Sequence, residues 1–196
     1  MPEHEMSKDA IDLLMEDHRT VEGLFSQFEA AGADQERQAL ARKICRELKV
    51  HTVLEEEIFY PSVRGKVDDD LLDEAYVEHD AAKVLVKEIE AGWADEAFYT
   101  AKVKVLREAI EHHVEEEEDE RNGLFVQARK ADLDLRALGE EIAARKVELM
   151  REAEDGRLPP AETRTFLGVE QPTAEEGGDL PADGAAPGPQ PGLRAP

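Results

Sequence analysis

The sequence predicts an all-α protein, an antiparallel up-down-up-down four-helix bundle with an additional C-terminal helix and a disordered tail. Three observations carry this. From Ser7 to about Glu154, apolar residues recur three and four apart in a chain rich in Ala, Leu, Glu and Lys. The breaks between these stretches are short, so consecutive long helices are antiparallel neighbours. After Asp155 the composition turns to Pro, Gly, Ala and acidic residues, ending Pro187-Gly188-Pro189-Gln190-Pro191-Gly192.

The first helix starts at Ser7, a good N-cap, and ends near Ala31-Gly32, where glycine supplies a stop. The second runs from near Asp34 to about Tyr60, because Pro61 cannot continue it. A loop through Gly65 leads to Asp68-Asp69-Asp70, whose carboxylates favour a helix N-terminus. The third helix then runs to about Gly92. The fourth starts near Asp95 and reaches at least Glu120, and Asn122-Gly123 breaks the chain before Leu124 to Lys130. The fifth spans roughly Asp132 to Glu154, with Leu135, Leu138, Ile142 and Leu149 on one side, and packs across the bundle or extends it. Residues 7–154 are thus the bundle. Residues 155–196 are a tail that cannot bury enough apolar surface to offset its ordering entropy. Within it, Thr165-Phe166-Leu167 is a short patch that could dock on the bundle or a partner, though most such patches do neither.

A net charge of −23, from 47 acidic and 24 basic residues, repels phosphate backbones and anionic membrane surfaces. Neither nucleic acid nor a membrane is an expected partner, and the protein partner of the tail is open. No run approaches the ~20 apolar residues of a membrane span. Met1-Pro2-Glu3-His4-Glu5 lacks the basic start and apolar stretch of a signal peptide. The expected location is cytoplasmic. Cys45 is the one cysteine, so no internal disulfide forms, and its aliphatic surroundings point to an inert buried thiol.

Polar residues interrupt the core stripes in a regular way. The inward stripe of the first helix reads Ile11, Leu14, His18, Val21, Phe25, Phe28. The second reads Ile44, Leu48, His51, Glu55, Ile58, and the third Leu72, Ala75, His79, Ala82, Val86, Ile89. The fourth reads Val103, Leu106, Ile110, His113, Glu117. At ~1.5 Å per residue, antiparallel packing brings these histidines and glutamates to one depth. A lone core histidine is more often a hydrogen-bonded structural residue than a ligand. Four histidines and two carboxylates at one level are different, because buried carboxylates need compensation. No Lys or Arg lies on the four stripes at that level, whereas one or two dications would serve.

Imidazole and carboxylate without thiolate disfavours structural zinc and iron–sulfur clusters. His-x-x-x-Glu places both side chains on one helix face. A carboxylate can bridge two metals, so four histidines and two bridging glutamates leave two six-coordinate irons with room for an oxo or hydroxo bridge and an exogenous ligand. His112 points about 100° from His113; the seam set by Leu106 and Ile110 favours His113, with His112 and Glu116 as the alternative pair. Glu56 reads as surface or as a hydrogen-bonding support, with surface favoured. Lys83 reads as a side chain that reaches solvent, and Tyr76 as one that could reach the metal level.

The motifs Leu13-Leu14-Met15-Glu16-Asp17-His18, His51-Thr52-Val53-Leu54-Glu55-Glu56-Glu57-Ile58-Phe59-Tyr60-Pro61, Glu78-His79-Asp80 and His112-His113-Val114-Glu115-Glu116-Glu117-Glu118 resemble the hemerythrin-like family, the HHE cation-binding domain. The resemblance covers about residues 8 to 150. It implies a four-helix core with a non-haem di-iron centre on His18, His51, Glu55, His79, His113 and Glu117. Oxygen-carrying members place a histidine where this chain has Lys83 and an aspartate where it has Glu118. They also have a proline where Gly123 or Val126 stands here. The Lys83 and Glu118 departures argue against reversible oxygen transport, and the missing proline points to an irregular end of the fourth helix. The expected function is binding or reduction of dioxygen, peroxide or nitric oxide in redox or stress response, with peroxide- or nitric-oxide-consuming activity open. The alternative is a non-enzymatic iron- or oxygen-sensing or iron-buffering module.

Overall fold

The computed structural model describes residues 8–166, which are helical apart from their connections and a C-terminal extended segment. Ser7, His4 and the chain from Leu167 onward lie outside the described residues. Helix α1 (Ala10–Ala30) is capped by Asp9: its carboxylate accepts from the Asp12 amide, and the Asp12 carboxylate accepts from the Asp9 amide.

Helix α2 (Asp34–Leu54) does not stop at Tyr60. It passes into a π-helical turn, Glu55–Phe59, and then a further α-helical turn, α3 (Tyr60–Val63), in which Pro61 sits near the start. The Tyr60 N–H donates to the Glu55 carbonyl, five residues back. A proline ring strikes the carbonyl four residues before it in a regular α-helix. The widened turn just upstream relieves that clash, so the helix continues past Pro61.

Helix α4 (Asp69–Ala91) is capped by Asp68, which accepts from the Asp70 amide, and stops at Gly92. Helix α5 (Tyr99–Glu118) starts later than Asp95. The buried amide of Gln38 accepts from the Ala94 N–H at 2.7 Å and donates to the Tyr99 hydroxyl at 3.2 Å, which holds the connection as a turn. That turn ends at Phe98, which has φ 67°. Asp119 ends α5 by accepting from the Arg121 and Asn122 amides. Helices α6 (Leu124–Lys130) and α7 (Leu135–Glu154, capped by Asp134) follow.

Cross-helix pairs fix the directions. Arg19 meets Glu118 while Arg107 meets Glu29, so α1 and α5 are antiparallel. Cys45 lies by Val86 while Glu56 meets His79, so α2 and α4 are too. Glu78 meets His113 while Glu88 meets Lys102, which sets α4 against α5. Helix α7 lies across α1 and α2.

The apolar core is divided. One cluster holds Ile11, Leu14, Leu54, Phe59, Leu72 and Phe125; the other holds Val21, Phe25, Ile44, Leu48, Val86 and Leu106. The polar residues of the four stripes lie between them. Cys45 is fully buried, and burial pushes its thiol up to about 12, consistent with an inert side chain.

Gly139 is where α7 touches the start of α1. A Cβ there would lie 2.8 Å from the Lys8 carbonyl oxygen and 2.9 Å from the Ala10 nitrogen, both backbone atoms. Gly139→Ala should therefore cost about 1–3 kcal/mol in overpacking, read as a lowered midpoint in urea unfolding. An unchanged midpoint would show that α7 can back away freely.

The segment after α7 departs from the disorder that its composition suggests, as far as residue 166. The amides of Arg164 and Thr165 and the Thr165 hydroxyl all donate to Asp80 Oδ2. The Arg164 guanidinium meets Glu56 at 3.0 Å, and Leu158 packs on the core. Buried acceptors on the π turn and α4 thus compensate for the low apolar content of this stretch. Among the described residues, no helix is long and apolar enough to cross a membrane.

Candidate metal centre

All six residues selected by helical phase are buried at one level, between the two apolar clusters. The Nε2 atoms of His18 and His51 lie 3.1 Å apart, and those of His79 and His113 also 3.1 Å apart. Two imidazole pairs therefore face inward. Glu55 Oε2 lies 3.0 Å from His51 and 3.2 Å from His79. Glu117 Oε2 lies 3.4 Å from His18 and 3.6 Å from His113. Each glutamate stands between one imidazole of each pair. His113 is buried, whereas His112 is 60% exposed on its side chain, which separates the two neighbours.

Behind the imidazoles runs an outer set of carboxylates. His18 Nδ1 meets Glu118 at 2.7 Å, His79 Nδ1 meets Glu56 at 3.2 Å, and His113 Nδ1 meets Glu78 at 2.8 Å. His51 Nδ1 faces Asp17 at 3.8 Å, beyond hydrogen-bonding distance. Each outer carboxylate is the sequence neighbour of an inward residue: Asp17 of His18, Glu56 of Glu55, Glu78 of His79 and Glu118 of Glu117. Each serves the histidine of the next helix, so α1 supports α2, the π turn that continues α2 supports α4, α4 supports α5, and α5 supports α1. Successive helical residues rotate by about 100°, and the sense of that rotation seen from one end reverses with chain direction. The supporting acid therefore precedes the inward residue in α1 and α4 and follows it in the π turn after α2 and in α5.

Cations hold three of these acids. Lys146 of α7 pairs with Asp17, and Arg19 pairs with Glu118. Lys83 meets Glu56 at 2.7 Å and Asp80 at 3.0 Å. Lys83 is 6% exposed, so it does not reach solvent as the sequence suggests, and a lysine does stand at the metal level. Glu56 is likewise buried rather than on the surface. The attraction of two carboxylates and of Arg164 across the same spot explains both.

Tyr60 is the inward residue that the sequence reading misses. Its hydroxyl donates to Glu117 Oε1 at 2.9 Å and lies 3.3 Å from both Glu55 Oε2 and His79 Nε2. In an α-helix, residues five apart point about 140° away from each other. The π turn brings Glu55 and Tyr60 onto one side. Pro61 inside a strongly periodic segment was the available signal. Tyr76 packs its ring edge against Tyr60 at 5.1 Å, one layer out from the histidines. Phe125 of α6 stacks on His18 at 5.7 Å.

The charges of the centre compensate one another only in part. Burial pushes His18 down to about 4, against the pull of Glu118. Burial would also lower His51, but the Glu55 and Asp17 carboxylates outweigh it and hold it at about 10. Burial and then the nearby Glu55 charge push Glu117 upward. Glu55 Oε1 and Glu117 Oε2 are buried without a hydrogen-bond partner among the described residues. Two orphaned carboxylate oxygens in a layer with four inward imidazole nitrogens fit cations. Ligand atoms of His18, His51, Glu55 and Glu117 lie within 4.8 Å of one another, as do those of Glu55, His79 and His113.

The chain resembles known proteins in sequence and in fold. Residues 9–124 match the hemerythrin HHE cation binding domain. The chain is 29% identical over 107 residues to a DNA nickase from Nostoc sp., across 55% of this chain and 30% of that protein. It thus spans under a third of that relative's length. A solved hemerythrin HHE cation binding domain-containing protein from Mycobacterium kansasii superposes with a TM-score of 0.62 at 22% identity, covering 76% of this chain and 94% of that one. The latter likeness is one of fold. With the domain match spanning more than half of its residues, the chain belongs to the hemerythrin HHE cation-binding family.

Proposed function

We propose that the chain holds two non-haem irons on His18, His51, Glu55, His79, His113 and Glu117, and uses them to bind or reduce dioxygen, peroxide or nitric oxide in cytoplasmic redox or stress response. The observation that carries this reading is the pair of glutamates, each set between one imidazole of each histidine pair. A carboxylate with two oxygens suits a position shared by two ions, and bundle cores are established hosts for such sites. Bound irons supply one-electron redox chemistry and positions for a small ligand.

The protein does the rest. The outer carboxylates fix the tautomer and orientation of the His18, His79 and His113 imidazoles and raise their basicity. The apolar layers on either side keep bulk water away. The Tyr60 hydroxyl, buried among the inward groups, is placed to donate a hydrogen bond to a small ligand or to hold a proton. The net charge of −23 favours a small-molecule partner over nucleic acid.

Iron analysis of the purified protein tests the reading directly, with two irons per chain expected. Absence of iron and of any other transition metal would reject it. Oxygen release after peroxide addition marks the enzymatic form. Tyr60→Phe is expected to keep the iron and lower peroxide turnover by about tenfold or more; equal turnover would leave the phenol a packing group. The segment 157–166 supports the second reading, a sensing or buffering module. Arg164 binds Glu56, and Glu56 orients His79, so the start of the tail is tied to the centre through two contacts.

A further inference from the structure

We infer that Glu78, His112 and Glu116 form a second cation site, on the outer side of α4 and α5, for a divalent first-row transition metal. The doubled sequence His112-His113 with Glu116-Glu117 supplies two His-x-x-x-Glu pairs, one turned inward and one outward. The outward imidazole Nε2 lies 3.5 Å from Glu116 Oε1 and 3.6 Å from Glu78 Oε1. The three ligand atoms lie within 4.8 Å of one another. One nitrogen and two carboxylates from two helices make a borderline donor set that Fe²⁺, Co²⁺ or Zn²⁺ accepts and that Ca²⁺ or Mg²⁺ disfavours.

The ring of outer carboxylates gives the independent reason. Asp17 is held by Lys146, Glu56 by Lys83 and Arg164, and Glu118 by Arg19. Glu78 is the fourth member, and among the described residues no lysine or arginine pairs with it or with Glu116. At the place where the other three carry a cationic side chain, Glu78 carries His112 and Glu116. A cation from solution takes the position that lysine or arginine fills elsewhere in the ring. Glu78 then joins the two sites, since its Oε2 accepts from His113 Nδ1 at 2.8 Å while its Oε1 faces outward. The inference stands apart from which metal the inner centre holds.

The test uses the full-length protein with its purified metal complement. Wild type, His112→Ala and Glu116→Gln are dialysed against Co²⁺, and cobalt and resident metal are counted together. Wild type should take up one cobalt per chain more than either variant, with resident metal equal in all three. The cobalt absorption bands should shift on binding in wild type and not in His112→Ala. Equal cobalt in wild type and His112→Ala overturns the inference. So does loss of resident metal from His112→Ala, because His112 would then belong to the inner centre.

Discussion

Glu55→Ala is expected to empty the proposed di-iron centre of its metal. Glu55 belongs to both groups of converging ligand atoms and touches one imidazole of each histidine pair. Its loss should exceed the roughly 10–100-fold in metal affinity that removing an orienting outer residue costs. Metal analysis of the purified variant reads this, with Glu57→Ala as the control. Glu57 is two residues on, exposed, and paired with Arg145 of α7. Retention of the full metal complement by Glu55→Ala would mean that the glutamate only balances the charge of His51. Loss in both variants would trace to helix α2 as a whole.

Lys83→Met should lower stability sharply. Lys83 is buried with Glu56 at 2.7 Å and Asp80 at 3.0 Å. Removing one member of a buried ionic group leaves the others uncompensated, at a cost of about 3 kcal/mol or more. For a chain of this size that corresponds to a fall of roughly 10 °C in melting temperature. Arg164 and Thr165 should soften the loss, because they reach the same two carboxylates from the extended segment. Adding Glu56→Gln to Lys83→Met should recover part of it, since one of the stranded charges is then gone. A melting temperature equal to wild type for the single variant would show that the pair is already solvated.

Much of this was legible in the sequence. The long helices follow from apolar spacing, and the six inward polar residues follow from where histidine and glutamate displace aliphatic side chains. Misreadings arise where a side chain depends on more than its own helix. Tyr60 stands out of phase for an α-helix and is carried inward by the π turn. Lys83 looks like a surface lysine until Glu56 and Asp80, from two helices, are placed around it. The extended segment 157–166 has too little apolar surface to predict order, and its anchors are acids more than 80 residues away in sequence. The supporting acids were visible as letters beside the inward residues. Their role needed the neighbouring helix.

The closed ring of acids and imidazoles also bears on which of two mirror-related bundles forms. An up-down-up-down chain can wind its helices clockwise or anticlockwise about the bundle axis, and apolar layers pack almost equally well either way. Each supporting acid, however, sits to a fixed side of its inward neighbour because the helices themselves are right-handed. In the opposite winding Asp17 would face α5 in place of α2, and Glu56, Glu78 and Glu118 would each turn toward the wrong helix. His18, His79 and His113 would lose their acceptors, and His51 the carboxylate that it faces. The polar layer therefore selects the handedness of the bundle, a choice that the aliphatic core leaves undecided.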